Sequence, residues 1–323
     1  MDSLCKDVYL SEKDWEREKP NVTYGLLEGV TPYTSKNIHK VANNTAWVNA
    51  NEEILLRWQL WYPAGNERPS INLRIFVLLD GRQLDHALPK PGLYNDIVLE
   101  RGEDKSFAVA IPPLEPGIHD IVAIGIPYLE EYPNEYGIVV LTGWRFTLIA
   151  EPAPTPPFRN IDFTTLPAEG SNKHNDPAMA LELTLKKDGI DVWNWPHPWL
   201  DIRANTPLTF YALGGHQDVT NLDAPAVEPL KSSFSAFLLF VDYQQVEIAP
   251  NQTVLYAKMD SDTAYARLPI TIKPLPPGKH HILVLRIDTP GVPMCILRGD
   301  TRSRILPNSV HGKLVGVNVL PEP

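Results

Sequence analysis

Short runs of apolar residues, each closed by turn-forming residues, recur along the whole chain. Residues 54–62, 73–79, 107–111 and 144–149 are rich in β-branched and aromatic side chains. Asp80-Gly81, at the end of the second run, is a hairpin dipeptide because both of its turn positions need positive φ. No amphipathic helix breaks the series. The pattern therefore predicts an all-β protein built as a sandwich or a barrel.

One proline-glycine stretch occurs twice. Residues 113–119 read PLEPGIH and precede an apolar run, and residues 274–280 read PLPPGKH and precede another. Leu114 and Leu275 lie half a chain apart, and the order of strand-like runs around them is repeated with different loop lengths. The sequence therefore predicts an internal duplication that yields two tandem antiparallel β-sandwich domains.

A proline-rich segment separates the two halves. Residues 151–158 hold alternate prolines, which favour polyproline II and act as a semi-rigid spacer. The chain of 323 residues also exceeds the usual size of one hydrophobic core. We therefore predict a polar N-terminal extension at 1–20 with a candidate short helix, a first sandwich at 21–150, the linker at 151–158 and a second sandwich at 159–323.

The repeated stretch resembles the corner between strands E and F of immunoglobulin-like and fibronectin type III-like modules. The resemblance implies Ig-like β-sandwiches, in which an aromatic side chain of the corner bonds to backbone a few residues upstream. Both copies carry histidine where those families usually carry tyrosine, and a neutral imidazole has a donor for the same bond. Such families mostly supply adhesion, scaffolding or spacing, and sometimes carbohydrate binding. The structural corner positions are Leu114, Gly117, His119, Leu275, Gly278 and His280.

Charge and composition limit the kinds of partner and the location that we expect for the protein. The net charge of −10 disfavours nucleic acid and anionic lipid, and no apolar run reaches the ~20 residues of a membrane span. The first residues show neither a basic nor an apolar region of a signal peptide. We expect an extracellular or cell-surface protein, or a cytoplasmic one if the chain is the complete gene product. Cys5 and Cys295 are expected to be two unpaired thiols.

The segment 191–199 is the one candidate ligand surface. In an extended chain Trp193, Trp195, His197 and Trp199 point to one side, where indoles can stack on sugar rings. Trp199 precedes the first strong strand of its half as Trp47 does in the first half, which favours a packing role. Trp193, Trp195 and His197 are therefore the candidate ligand-binding residues, and carbohydrate is their candidate ligand.

Signals for metal binding and catalysis are weak. His280 and His281 are neighbours on a strand and face opposite ways, and residues 260–262 fit a solvated acidic turn better than a calcium site. No linear catalytic motif is present, so we expect no catalytic residue, no metal and no cofactor. The sequence predicts a non-enzymatic structural, adhesive or assembly protein that acts by surface contact, through a protein partner or self-association. The alternatives are a carbohydrate-binding protein and an enzyme with dispersed carboxylates.

Overall fold

The computed structural model describes residues 27–32, 37–42, 44–131, 142–153, 158–166, 170–171, 182–187, 190–192, 199–205, 207–215, 234–259, 264–295 and 310–322. Nearly all regular structure in these ranges is β-strand, with a short 3₁₀ turn at Leu129–Glu131. This confirms the all-β prediction. The predicted extension at 1–20, linker residues 154–157 and the candidates Trp193, Trp195 and His197 lie outside the described residues. No helix in the described ranges is long and apolar enough to cross a membrane.

The first half contains two sheets. Its strands are β1 (Leu27–Pro32), β2 (Ile38–Ala42), β3 (Thr45–Asn49), β4 (Ile54–Trp61), β5 (Ser70–Leu79), β6 (Arg82–Gln83), β7 (Asn95–Glu100), β8 (Asp104–Ile111), β9 (Gly117–Pro127) and β10 (Thr142–Glu151). One sheet has the order β1-β4-β8, and the other has the order β2-β3-β10-β9-β5-β6, with β7 also on β5. β3 runs parallel to β10, and the remaining pairs are antiparallel.

The described strands of the second half also form two sheets, with a partly similar arrangement. Its strands are β11 (Thr164–Leu166), β12 (Gly170–Ser171), β13 (Glu182–Lys187), β14 (Ile190–Val192), β15 (Trp199–Arg203), β16 (Leu208–Gly215), β17 (Phe234–Val241), β18 (Gln244–Val246), β19 (Val254–Met259), β20 (Ala264–Ile272), β21 (Gly278–Asp288) and β22 (Val310–Leu320). The sheets have the orders β11-β19-β17-β21-β22-β15 and β12-β20-β16-β13-β14. β15 runs parallel to the closing strand β22, as β3 does to β10.

The hairpin turns of the two halves have the same backbone. Asp80 and Gly81 join β5 to β6 with φ of 51° and 78°, and Asp242 and Tyr243 join β17 to β18 with φ of 50° and 65°. This is the turn that Asp80-Gly81 predicts. Tyr243 adopts a left-handed conformation that is uncommon for a bulky residue. Its neighbours in the interface offset that strain, as described below.

Three apolar clusters stack the four sheets into layers. The first and second fill the two sandwiches, around Trp58 and Phe146 in one and Phe210 and Ile270 in the other. The third lies between the sandwiches and contains residues of both halves: Phe76, Leu78, Val122, Ile124, Ile126 and Leu129 from the first, and Ala236, Leu238, Phe240, Tyr243, Leu283, Leu285, Ile287, Val310 and Leu314 from the second. The two halves therefore share a buried sheet-to-sheet interface.

A fourth cluster corrects the expectation for cysteine. Cys295 is 1% exposed and packs with Trp47, Ile149 and Met294 between the halves. It is disulfide-bonded, so the expectation of two unpaired thiols is wrong. The other cysteine of the chain, Cys5, lies outside the described residues. Distance along the sequence gives no signal for such a pairing, because a disulfide depends on which residues meet in space.

Candidate functional site

The two corners carry the same hydrogen bonds. His119 places Nδ1 2.8 Å from Asp80 Oδ2 and Nε2 2.9 Å from the carbonyl oxygen of Glu115. In the second half, His280 Nδ1 lies 2.8 Å from Asp242 Oδ2, and its Nε2 lies 2.8 Å from the carbonyl oxygen of Pro276. Each imidazole thus joins the proline-glycine corner to the hairpin turn of the same half.

The remaining corner residues fit their positions. Leu114 is buried in the first core, and Leu275 packs against the second. Gly117 and Gly278 have φ of 157° and 136°, which a side chain would strain. The described contacts of the six corner positions are therefore contacts within the fold.

Charge at the first corner favours an imidazolium. Ionised Asp80 and the carbonyl of Glu115 both accept hydrogen bonds only, so both nitrogens of His119 must donate. Burial and, to a smaller extent, Arg159 lower the pKa of His119, but the Asp80 carboxylate and the Glu115 carbonyl together raise it by more, so that the net pKa lies above its ordinary value. Burial likewise raises the pKa of Asp80, whereas His119 and Arg159 lower it by more, so that it lies below its ordinary value.

Arg145 joins the halves through a buried guanidinium. Its Nε and Nη2 donate to Asp120 Oδ1 at 3.0 and 2.8 Å within the first half. Its Nη1 donates to the carbonyl of Asp288 at 2.7 Å, and its Nη2 donates to the carbonyls of Thr289 at 3.0 Å and Val292 at 2.9 Å. One side chain therefore holds a turn of the second half against the sheet of the first.

Hydroxyl groups extend the same contact. Thr147 Oγ1 accepts the amide of Met294 at 3.1 Å, and Thr45 Oγ1 accepts the amide of Cys295 at 3.0 Å. All four residues are buried. Because these bonds follow consecutive residues of one segment, they fix the register between the halves as well as their separation.

At the rim, an arginine lies between tyrosines of the two halves. The guanidinium carbon of Arg74 lies 4.4 Å from the ring centre of Tyr94 and 4.3 Å from that of Tyr243. Asp96 accepts two bonds from Arg74, at 2.7 and 3.1 Å, and fixes its plane. Stacking of this kind contributes about 0.5–2 kcal/mol and offsets the backbone strain at Tyr243. Burial raises the pKa of Tyr243.

Equivalent positions of the halves also contact each other directly. The amide of Gln83 donates to Gln245 Oε1 at 2.9 Å, and the amide of Gln245 donates to Gln83 Oε1 at 2.9 Å. Gln83 Nε2 donates to the carbonyl of Tyr243 at 2.8 Å, and Gln245 Nε2 donates to that of Gly81 at 2.6 Å. Reciprocal bonds between equivalent residues are the geometry of a local twofold axis.

A second pair of contacts is related by the same local twofold axis, but the residues in the two contacts differ chemically. Asp120 and His281 each follow a corner histidine. Asp120 Oδ2 accepts the amide of Gly291 at 2.6 Å, and His281 Nε2 lies 3.0 Å from Glu130 Oε1 without hydrogen-bond geometry. Burial lowers the pKa of His281 by more than Glu130 raises it. The two positions are therefore equivalent but differ in chemistry: a carboxylate accepts a backbone amide at one, and an imidazole of lowered pKa lies beside a glutamate at the other.

A polar network in the second sandwich does not have the geometry of an activated nucleophile. Ser235 Oγ donates to Asp288 Oδ1 at 3.1 Å, His311 Nε2 lies 3.1 Å from Asp288 Oδ2, and Arg286 Nε donates to Oδ1 at 2.7 Å. Serine and histidine thus both bond to the carboxylate, whereas nucleophilic catalysis requires a serine bonded to its base. Among the described residues, no group of three His, Cys, Asp or Glu could hold a metal ion.

Trp199, at the end of the candidate aromatic segment, contributes to the interface. Its ring centre lies 5.3 Å from that of His281, and Lys279 Nζ lies 4.7 Å from it. Trp199 is not in the position equivalent to Trp47. Trp47 pairs with Ile149, one residue before the β10 residue that pairs with the corner glycine Gly117. Trp199 pairs with Gly316, three residues before the β22 residue that pairs with the corner glycine Gly278. Trp193, Trp195 and His197 stay a prediction.

Comparison with known proteins gives distant likenesses. No protein-family model and no curated protein matches the chain. Among solved structures, a CARDB domain from Pyrococcus furiosus is 12% identical, with 45% of this chain and 100% of that chain covered at a TM-score of 0.26. Red sea bream transglutaminase is 9% identical, with 98% and 35% covered at 0.23. The fibronectin(III)-like modules of Clostridium thermocellum CbhA are 9% identical, with 91% and 95% covered at 0.21.

Proposed function

We propose that this chain is a non-enzymatic structural, adhesive or assembly protein in which two sandwiches act as one rigid block through surface contact. The interface between the halves carries this proposal. Contacts between domains of one chain are usually modest and polar, and they permit relative motion. Here fully buried apolar residues such as Leu78, Phe240 and Leu285 fill the interface, and Arg145 bonds across it. Such an interface suits a protein that presents surfaces at fixed positions.

The proposal includes an internal duplication. Equal turns, equal corners and the reciprocal bonds of Gln83 and Gln245 support two copies of one module joined by residues 151–158. The disulfide at Cys295 supports a place outside the reducing cytosol, at the cell surface or beyond it.

Two experiments test the proposal. Spin labels at exposed positions of the two halves should give one narrow distance distribution by pulsed EPR, since the interface holds the halves in one arrangement. A broad distribution would refute the rigid block. A screen of hydrolase substrates with the full chain should show no turnover, and reproducible turnover that follows the protein through purification would refute the non-enzymatic function.

A further inference from the structure

Cys295 lies where the two halves meet. Its side chain packs in the fourth cluster with Trp47, Ile118 and Ile149 of the first half. Its amide donates to Thr45 Oγ1 at 3.0 Å, so its backbone is fixed against the same half. Cys295 therefore occupies one defined position at the contact, and it is disulfide-bonded there.

The sequence leaves one candidate for the partner of this cysteine. The chain has two cysteines, Cys5 and Cys295, and the structure is of a single chain, so the bond at Cys295 must be with Cys5. Cys5 lies outside the described residues, and its identity alone enters the assignment. The segment from Cys5 to Leu27, where β1 begins, spans up to about 75 Å when extended. A compact chain of this length has a radius of gyration of about 20 Å, so the segment is long enough for the connection.

The linker reaches the same end of the contact. Ala153 and Phe158 of the linker pack against the cluster that holds Cys295. Ile118 of that cluster lies at the start of β9, whereas Tyr128, whose ring centre is 5.2 Å from the guanidinium at the rim, follows the end of β9. The linker and the disulfide therefore share one end of the contact, and the rim with its stacked side chains lies at the other.

We propose that Cys5 and Cys295 form a covalent clasp that closes the contact between the halves at the end where the linker joins them. Cys5 precedes the first sandwich and Cys295 follows β21 of the second, so the bond encloses strands β1 to β21. It adds a second covalent connection between the halves to that of the linker. Closing so long a loop removes conformational freedom from the unfolded chain and thereby stabilises the folded one. The clasp goes beyond the proposed function and does not depend on it.

The clasp opens by thiol–disulfide exchange with an external dithiol. A thiolate of the dithiol attacks one sulfur, the Sγ–Sγ bond breaks, and a mixed disulfide forms. The second thiol of the reagent then displaces the chain, so that two electrons and two protons pass to Cys5 and Cys295 and the dithiol becomes a disulfide. Reduction therefore leaves the linker as the one covalent connection between the halves.

Peptide mapping of the full chain without reductant is the main test. The chain is equilibrated with excess oxidised glutathione, its free thiols are blocked with N-ethylmaleimide, and it is digested with trypsin. The peptide that ends at Lys6 and the peptide 287–298 should be found joined, and prior reduction should release both. The unreduced chain should be monomeric on a denaturing gel and migrate ahead of the reduced chain. Maleimide or glutathione on either cysteine in most molecules, or a disulfide-linked dimer, would overturn the inference.

Serine variants test the pairing in solution. The parent should show a higher urea midpoint in oxidising than in reducing buffer, and Cys5→Ser should lose this difference as completely as Cys295→Ser does. Cys5→Ser keeps every residue of the buried cluster, so a packing defect at Cys295 cannot produce the result. Ser3→Ala is the matched control and should keep the difference of the parent. A Cys5→Ser chain whose midpoint still depends on reductant would refute the pairing, and the EPR and turnover tests of the proposed function would be unaffected.

Discussion

Replacing Arg145 by methionine should destabilise the whole molecule and uncouple its halves. The side chain of Arg145 is fully buried, and that of Asp120 is 4% exposed. The change removes five hydrogen bonds of the guanidinium, two to Asp120 and three to backbone carbonyls of the second half. Methionine retains much of the volume, so the effect reports the polar contacts more than a cavity.

The expected magnitude follows from the charge that is left behind. Breaking one partner of a buried ion pair costs about 3–5 kcal/mol, because the other charge stays buried without compensation. Asp120 would keep the amide of Gly291 but lose its cation. The double variant Asp120→Asn/Arg145→Met removes that charge, and we expect it to recover part of the loss. The exposed Arg101→Met is the control, with an expected effect within about 0.5 kcal/mol.

The assay is urea unfolding followed by tryptophan fluorescence and by circular dichroism. We expect the two probes to coincide for the parent and to separate for Arg145→Met, since each sandwich keeps its own core while the contact between them weakens. A loss of less than about 1 kcal/mol with coincident transitions would refute the role assigned to Arg145.

Three further predictions concern other parts of the structure. The raised pKa of His119 stabilises the fold below the unfolded pKa of about 6.5, and this contribution is lost as pH rises through the folded pKa. His119→Gln should therefore flatten the dependence of the urea midpoint on pH in that window, and an unchanged slope would contradict the imidazolium. Phe240→Ala should cost about 3–5 kcal/mol, because Phe240 is fully buried against Phe76 between the halves, whereas exposed Val98→Ala should cost little in the same assay. Reduction of the disulfide at Cys295 should lower the free energy of unfolding by about 2–5 kcal/mol. Cys295→Ser should remove the sensitivity to reductant. An unchanged unfolding free energy of the parent in reductant would contradict this prediction.

The short apolar runs, closed by turn-forming residues, predict individual strands well. The apolar runs 54–62 and 73–79 correspond to β4 and β5, and Asp80-Gly81 forms the turn after β5. Apolar runs and turn dipeptides can both be recognised because each depends on residues close in sequence. The contact between the halves is indicated less clearly by the sequence. The uninterrupted runs 121–124 and 282–285 are typical of strands covered on both faces, but they do not say what covers the second face.

Arg145 shows why the polar contacts between the halves could not be predicted from the sequence. It lies in β10 with Trp144 and Phe146 beside it, and a charged residue between two core residues usually faces solvent. Its acceptors in the second half are backbone carbonyls near residue 290, and backbone atoms leave no residue-specific pattern in a sequence. The hydrogen bonds between Gln83 and Gln245 also leave no pattern in the sequence, because the two residues lie 162 positions apart.

The polar residues on the two faces favour pairing of each half with the other half over pairing with a second copy of itself. Under the local twofold axis, Asp120 corresponds to His281 and Glu130 corresponds to Gly291. Two first halves packed in this way would place Asp120 against Glu130 twice, and this contact between like charges would disfavour that pairing, although the side chain of Glu130 is partly exposed. In the chain itself, Asp120 meets the amide of Gly291 and Glu130 meets His281 instead. The interface therefore uses equivalent positions with different chemistry, and this difference favours closure within one chain.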